Sequence, residues 1–324
     1  YFSGRVIKTS FIQRVPGGVK HYQWFLPWMP LAVEFFDLTD YDLVISDASA
    51  FAKGVITGID VPHICYCHTP TRYLWDYTHR YIAELKYNKF LKKIVSLCLN
   101  YLRVWDYQAA SRVDYFVANS QLVQKRIKKY YKRQSEVIYP PVEVDNFKVG
   151  EGEGKYFLIG GRVVTYKRFD LVVEVFRELG WPLKIFGEGI DLSRLKKMAK
   201  GAYNIEFLGR VSDSEKAELY QHCRAFLNPQ EEDFGITVVE TMACGRPVIA
   251  YGRGGALETV VDGKTGVFFQ EQTKESLTEA LHRFEQLSFD TSVIRYQAEQ
   301  FSRQHFEAQF RDFVERALND FRGK

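Results

Sequence analysis

Two glutamates, Glu232 and Glu240, flank the start of an apolar run in EEDFGITVVETMACGRPVIAYGRGG, residues 231–255. A carboxylate accepts hydrogen bonds on both oxygens, so each of these can hold a pair of hydroxyls. The run begins near Ile236, has helical periodicity and closes at Cys244-Gly245. Its start offers unpaired N–H groups and a positive dipole end, which suit a phosphate or a sugar hydroxyl. Glu240 falls about one turn inside, where it can take two hydroxyls of a ribose. An anion seat flanked by two hydroxyl acceptors fits a nucleotide sugar. Taken alone, the spacing fits a helix cap and a solvated carboxylate better.

Two cations stand in the loop GGRVVTYKRFD, after a strand-like run from Tyr156 to Gly160. Ligands of open parallel sheets bind beyond the carboxyl ends of strands, which is where Arg162 and Lys167 fall. Such a pair stabilises the charge that grows on a departing diphosphate. The alternative is a solvated loop, and that reading is preferred for Arg168. Gly187-Glu188-Gly189 follows a second strand-like run, and Gly209-Arg210-Val211-Ser212 a third. Glycines at strand-to-helix turns are a weak signal, and Ser212-Asp213-Ser214-Glu215 reads equally well as a helix start. Upstream, His68 ends an apolar run in CYCHTPTRYLWD. A lone histidine is more often structural; this one stands at the carboxyl end of a strand.

With Phe234-Gly235-Ile236 inside the glutamate spacing and Gly-Arg-Pro-Val-Ile-Ala after it, this stretch resembles the carboxy-terminal signature of the family-4 glycosyltransferases, retaining enzymes of GT-B fold. The string His68-Thr69-Pro70-x-Arg72-Tyr73-x-Trp75 is similar to a subset that moves mannose from GDP-mannose to lipid-linked O-antigen or exopolysaccharide intermediates. The resemblance implies catalytic roles for His68, Glu232, Arg162 and Lys167. It implies donor contacts from Gly187, Arg210, Val211, Phe234, Gly235, Ile236, Thr237 and Glu240. Arg162 and Lys167 would hold the diphosphate, Glu240 the ribose and Glu232 the donor sugar, with His68 near the reacting carbon. Arg72, Tyr73 and Trp75 would shape the sugar or acceptor pocket, with Asp47 and Lys53 as weaker acceptor-side candidates. No cofactor beyond the donor and no metal is implied, because the two cations and the helix start take the metal's place. The leaving diphosphate would help deprotonate the acceptor on the same face, so no carboxylate pair of glycosidase type is needed.

Two rival readings belong to other classes. A nicotinamide-dependent dehydrogenase also pairs two such sheets, but neither half carries G-x-G-x-x-G followed by an acidic residue. A non-catalytic sugar-nucleotide binder or scaffold shares the binding features and differs in turnover.

Strands alternating with helices must position these residues. Strands are expected over 41–46, 62–68 and 114–118, with Val6-Ile7 as a further short one, and helices over 48–57, 77–112 and 119–131. After Tyr139-Pro140-Pro141, the polar, glycine-rich stretch 144–154 reads as an interdomain linker. The alternation then restarts, with strands over 156–160, 183–186, 205–208, 225–228 and 248–251 and helices over 169–179, 192–199 and 214–222. Such alternation implies parallel sheets covered on both faces. The expected architecture is α/β of GT-B type, two Rossmann-like domains facing a cleft. The acceptor-side domain covers 1–143, the linker 144–154, the nucleotide-sugar domain 155–300, and a terminal helix over 301–324 packs back on the first domain. Relatives of this family begin with a further strand, a glycine-rich turn and a helix before the equivalent of Tyr1. The first sheet is therefore expected to lack its opening strand.

Bulk properties agree with a two-domain protein. The chain has 324 residues, 46% hydrophobic and 26% charged, which is a globular composition. A net charge of +4 is too small for a nucleic-acid-binding profile. Cys65, Cys67, Cys98, Cys223 and Cys244 are odd in number and scattered, without disulfide or metal spacing, and a reducing cytoplasm is the expected location. No apolar run reaches the roughly 18 residues of a membrane span. The basic run Lys125, Arg126, Lys128 and Lys129, with Lys89, Lys92 and Lys93 beside Phe90 and Leu91, reads either as solvated helix face or as a contact with an anionic membrane surface. A peripheral association with the inner face of the plasma membrane would follow from the second reading.

Overall fold

The structure, a computed structural model, describes residues 4–85 and 87–323. Residues 1–3, 86 and 324 lie outside the described residues; they fall at the start of the expected first domain, within the expected helix 77–112 and at the end of the expected terminal helix. The chain divides into two compact units, one of Tyr1–Ile138 with Asp312–Lys324 and one of Tyr139–Arg311.

In the first unit four short strands, β1 (Val44–Ala48), β2 (His63–Cys67), β3 (Tyr115–Ala118) and β4 (Ser135–Val137), pair in parallel in the order β1-β2-β3-β4. β2 is buried at every position, as a strand covered on both faces should be. Its helices are α1 (Met29–Glu34), α2 (Thr78–Glu84), α3 (Lys89–Ser111) and α4 (Gln121–Arg126), the last continued by a π-helical turn over Ile127–Tyr131. The single helix expected over 77–112 is thus two. Asn88 makes the break by capping α3, its side chain accepting from the Leu91 N–H at 2.8 Å. Of the helix expected over 48–57 only the 3-10 turn Ala52–Gly54 forms. Gly54 lies so close to Trp105 that a Cβ would sit 2.3 Å from the indole, so this segment follows the packing against α3. Val6 and Ile7 form no strand and are exposed; a two-residue run has no neighbour to pair with.

In the second unit the order is β5 (Tyr156–Gly160), α5 (Phe169–Leu179), β6 (Leu183–Phe186), α6 (Leu192–Met198), β7 (Ile205–Gly209), α7 (Asp213–His222), β8 (Cys223–Asn228), α8 (Ile236–Ala243), β9 (Val248–Tyr251), α9 (Ala256–Thr259), β10 (Gly266–Phe269), α10 (Lys274–Glu285), α11 (Thr291–Glu299) and α12 (Arg303–Arg322). The six strands form one parallel sheet, β10-β9-β8-β5-β6-β7. Apolar helix faces cover both sides, one cluster including Val238, Val239 and Met242 of α8 and the other Val172, Val173 and Phe176 of α5. Both units are Rossmann-like. The stretch 144–154 is not a free linker: Val144 and Phe147 are buried in the second unit's core, and the boundary falls earlier, at Ile138/Tyr139. α12 begins in the second unit and joins the first from Asp312 onward, where Arg316 pairs with Glu136 at 2.8 Å and the Tyr115 hydroxyl donates to Asp320 at 2.6 Å.

Candidate functional site

The second sheet winds one way from β5 through β6 to β7 and the other way from β8 through β9 to β10. Loops leaving the carboxyl ends of β5 and β8 therefore part to opposite sides and open a crevice between them, the usual ligand position in such sheets. Arg162 and Lys167 lie on the first loop and Glu232 on the second. Lys167 Nζ reaches Glu232 at 2.9 Å across this point, joining two residues sixty-five positions apart that the sequence singled out separately. Glu232 is further fixed by Gln230, whose amide donates to the same oxygen, Oε1, at 3.0 Å. Gln230 also donates to Asn228 at 2.9 Å, and its own Oε1 and Asn228 Nδ2 are buried without a hydrogen-bond partner among the described residues. Buried polar atoms without partners are rare and tend to mark a place that a ligand or water completes. Arg168 pairs with Asp170 and Gln272 and serves the loop's own fold.

Gly235 is the N-cap of α8 at φ +94°, so the cap position itself carries no side chain. The Glu232 carboxylate meets Lys167 and Gln230 and does not sit at the cap position. Ile236 and Thr237 open α8, Ile236 exposed. Phe234, expected among the donor contacts, turns its ring into the core against Tyr139 and Phe301, so only its backbone is left for a ligand. The turn Gly254-Gly255 closes over this loop: the Gly255 N–H donates to the Glu232 carbonyl at 2.9 Å, and a Cβ on Gly255 would lie 2.4 Å from the Phe234 backbone.

Beyond the ends of β5, β6 and β7, backbone hydrogen bonds from Gly161 to Phe186 and from Gly187 to Gly209 draw three turns together. Gly187, at φ +114°, is required here because a Cβ would meet the Gly161 carbonyl oxygen at 1.8 Å. A concavity of about 300 Å³ results, lined by Arg162, Gly187, Arg210, Val211 and Lys216 among others. Four sequence candidates thus share one wall. Glu240 lies in a second concavity of about 270 Å³ with Ile236, and Lys216 lines both. Ser212 and Glu215 make a reciprocal capping box at the start of α7, so those side chains serve the helix.

In the first unit, parallel pairing sets the ends of β1 and β2 side by side, and His68 Nε2 meets Asp47 Oδ1 at 2.5 Å. The carboxylate, itself largely exposed, orients the imidazole. Lys53, expected on the acceptor side, is instead buried, its ammonium 2.5 Å from Asp106 and bonded to the Ala50 carbonyl at 2.6 Å. Asp106 also accepts from Thr71 at 3.0 Å, Trp75 at 2.8 Å and Tyr131 at 2.8 Å. Trp75 is committed to this network and stacks on Tyr130, so it anchors the loop after β2. Arg72 lies 3.9 Å from Asp76, and Tyr73 packs beside Tyr81. Arg126 departs from the outward basic run: it is buried and pairs with Asp76 at 3.2 Å, leaving Lys125, Lys128 and Lys129 exposed. Gln230, Lys216, Tyr220 and Asp106 were not legible as site or scaffold residues. Each acquires its role from a partner fixed by tertiary folding.

Comparison with known families agrees with this fold. The model described as Glycosyltransferase Family 4 matches residues 5–146, and that described as Glycosyl transferases group 1 matches residues 142–301. An uncharacterized glycosyltransferase of Methanocaldococcus jannaschii is 28% identical over 53% of this chain and 50% of its own length. The alpha-1,3/1,6-mannosyltransferase ALG2 of Dictyostelium discoideum is 26% identical over 76% of this chain and 67% of its own. The chain thus spans half of the first relative and about two thirds of the second. Among solved structures, Anabaena HepE in complex with UDP superposes with a TM-score of 0.67 at 16% identity, over 95% of this chain and 84% of that one, a likeness of fold. With the two family models together covering residues 5–301 and overlapping at 142–146, the chain belongs to the glycosyltransferases of GT-B fold, its first half of the Family 4 type and its second half of the group 1 type.

Proposed function

We propose that this protein transfers mannose from GDP-mannose, with retained anomeric configuration, to a saccharide carried on a lipid in surface polysaccharide synthesis. The observation that carries the nucleotide-sugar reading is the meeting of Lys167 with Glu232 at the reversal of strand order, beside a concavity lined by Arg162 and Arg210. Arg162 and Lys167 take the diphosphate, Glu240 the ribose and Glu232 the sugar. The leaving diphosphate accepts the acceptor's proton on the face from which it departs. Within the first unit, Asp47 holds His68 at the adjoining ends of β1 and β2, and His68→Ala is expected to lower transfer while leaving GDP binding unchanged. The choice of mannose rests on the string from His68 to Trp75 and on the mannosyltransferase relative. Among the described residues no group of three or more His, Cys, Asp or Glu side chains could hold a metal ion. The two cations and the start of α8 are proposed to carry the diphosphate charge, and turnover is expected to survive EDTA.

Thermal-shift measurements with GDP-mannose, GDP, UDP-glucose and UDP test the donor. At about 100 times Kd the correct ligand should raise Tm by roughly 5–10 °C. Equal shifts from GDP and UDP would remove the guanine preference, no shift would remove the nucleotide-sugar site, and binding without transfer would leave the non-catalytic reading.

The acceptor's lipid implies a membrane surface as partner. Among the described residues no helix is long and apolar enough to cross a membrane. α3, however, presents Phe90, Ile94, Leu97, Tyr101 and Val104 outward at alternating intervals of four and three, a stripe along one face opposite its buried Leu99 and Leu102. Residues 85–105 contain no acid, and Lys89 and Lys93 are exposed at the same end, while Lys92 donates to the Ala83 carbonyl at 2.9 Å. Trp24 and Trp28 are exposed on a 3-10 segment whose Leu26 packs into the same cluster as Leu99. Apolar residues with flanking lysines and tryptophans suit an anionic lipid surface. Leu97→Glu should cut co-sedimentation with phosphatidylglycerol vesicles about tenfold and leave donor binding unchanged. An unaltered chain that ignores such vesicles would sink the membrane contact.

A further inference from the structure

The carboxylate of Glu240 has a separate partner on each oxygen. Oε1 accepts from Lys216 Nζ at 3.0 Å and Oε2 from the Tyr220 hydroxyl at 3.1 Å. Lys216 and Tyr220 are four positions apart on α7, hence on one face of that helix. Tyr220 is fully buried, its ring against Phe147, Phe186 and Phe226, so its hydroxyl cannot swing away. Burial, and then the Glu240 charge, hold its phenol well above the ordinary pKa, and it stays a donor. For Lys216 burial works against the charged form, but Glu240 and Asp213 together outweigh it, the pKa is raised and the ammonium persists. Lys216 also pairs with the exposed Asp213 at 3.4 Å. Its side chain lines both concavities, the one with Arg162 and Arg210 and the one that holds Glu240.

We propose that Lys216 and Tyr220 are positioning residues that give the site its preference for ribonucleotides, by holding the Glu240 carboxylate in one orientation. This rests on the nucleotide-sugar reading above. An ionised carboxylate has about four lone-pair positions. With one on each oxygen taken by a fixed donor, one on each remains, matched to the neighbouring 2′- and 3′-hydroxyls of a ribose. A glutamate without these partners would lose rotamer freedom on binding, and the two donors remove that cost beforehand. A nucleotide lacking one hydroxyl leaves one oxygen without its intended donor and binds more weakly.

The test is calorimetric binding of GDP and UDP and of their 2′-deoxy and 3′-deoxy counterparts to the unaltered protein and to Lys216→Met, Lys216→Arg, Tyr220→Phe and Glu240→Gln. The unaltered protein should prefer the ribonucleotide by about tenfold or more. Lys216→Met should bring that ratio close to the value in Glu240→Gln, Tyr220→Phe should lower it in part, and Lys216→Arg should restore most of it. Loss of folding would weaken all six ligands together and leave the ratio, so a change in ratio separates positioning from general damage; circular dichroism and the Arg variant check this. If Glu240→Gln loses the preference while Lys216→Met and Tyr220→Phe both keep it, the inference is overturned alone. It is also overturned if Lys216→Met binds ribonucleotides more tightly, because Lys216 would then be an internal competitor for Glu240. If the unaltered protein binds neither nucleotide, the nucleotide-sugar reading falls and takes this inference with it.

Discussion

Glu232→Gln should lower kcat by about 100- to 1,000-fold with little change in donor KM, the scale expected when a group aimed at developing charge is removed. Glu232 stands at the end of β8 with one oxygen shared by Lys167 and Gln230. Its remaining acceptor capacity is set against a sugar whose position changes as the glycosidic bond breaks. Gln keeps the shape but releases Lys167, disturbing the diphosphate side of the reaction as well. Glu240→Gln should behave oppositely. Its ribose contact exists equally before and during the reaction, so donor KM should rise about 10-fold or more with kcat nearly unchanged. Steady-state transfer kinetics with GDP-mannose read both variants, and circular dichroism shows whether they fold. If neither glutamate moved either constant, the central assignment would be wrong.

The second large effect concerns stability. Asp106→Ala should destabilise the first unit by about 3–5 kcal/mol, because it strands the Lys53 ammonium in the core. Lys53 and Asp106 are both essentially inaccessible to solvent, and Asp106 is also the common acceptor for Thr71, Trp75 and Tyr131. One carboxylate therefore ties the 3-10 turn after β1, the loop after β2, α3 and the π-helical turn together. Four of the five tryptophans, Trp24, Trp28, Trp75 and Trp105, are in the first unit, so urea unfolding followed by their fluorescence reports on it. The double change Lys53→Met with Asp106→Leu should recover only part of the loss, since it removes the buried ion pair as a whole but leaves the Thr71, Trp75 and Tyr131 donors without their acceptor. A cost below about 1 kcal/mol for Asp106→Ala would mean that water reaches this network.

Periodicity served the second unit well. β5, α5, β6 and β9 coincide with the stretches read from the sequence, because each is a run of apolar residues bounded by glycine, proline or a polar turn. It failed in the first unit where tertiary partners decide. Lys53 reads as a weak acceptor-side candidate until α3 supplies Asp106, and the 48–57 stretch reads as a helix until Trp105 claims the space at Gly54. The Glu232–Glu240 spacing drew attention to the site, but its tethers were hidden. Gln230 is an ordinary residue after a strand, and α7 carries too few apolar residues to show that Lys216 and Tyr220 look inward together.

The double allegiance of α12 bears on how the protein is made. Phe313 and Ala317 are buried, and Arg316 and Asp320 are tied to Glu136 and Tyr115, all partners synthesised long before them. A ribosome thus releases the second unit's sheet while the first still waits for its last helix. Folding in order of synthesis is the common course for multidomain chains, and here the order is broken by one segment. The nascent first unit must persist with part of its surface uncovered through the whole translation of the second. It is there, in the interval before Asp312 emerges, that a chaperone would find the most to hold.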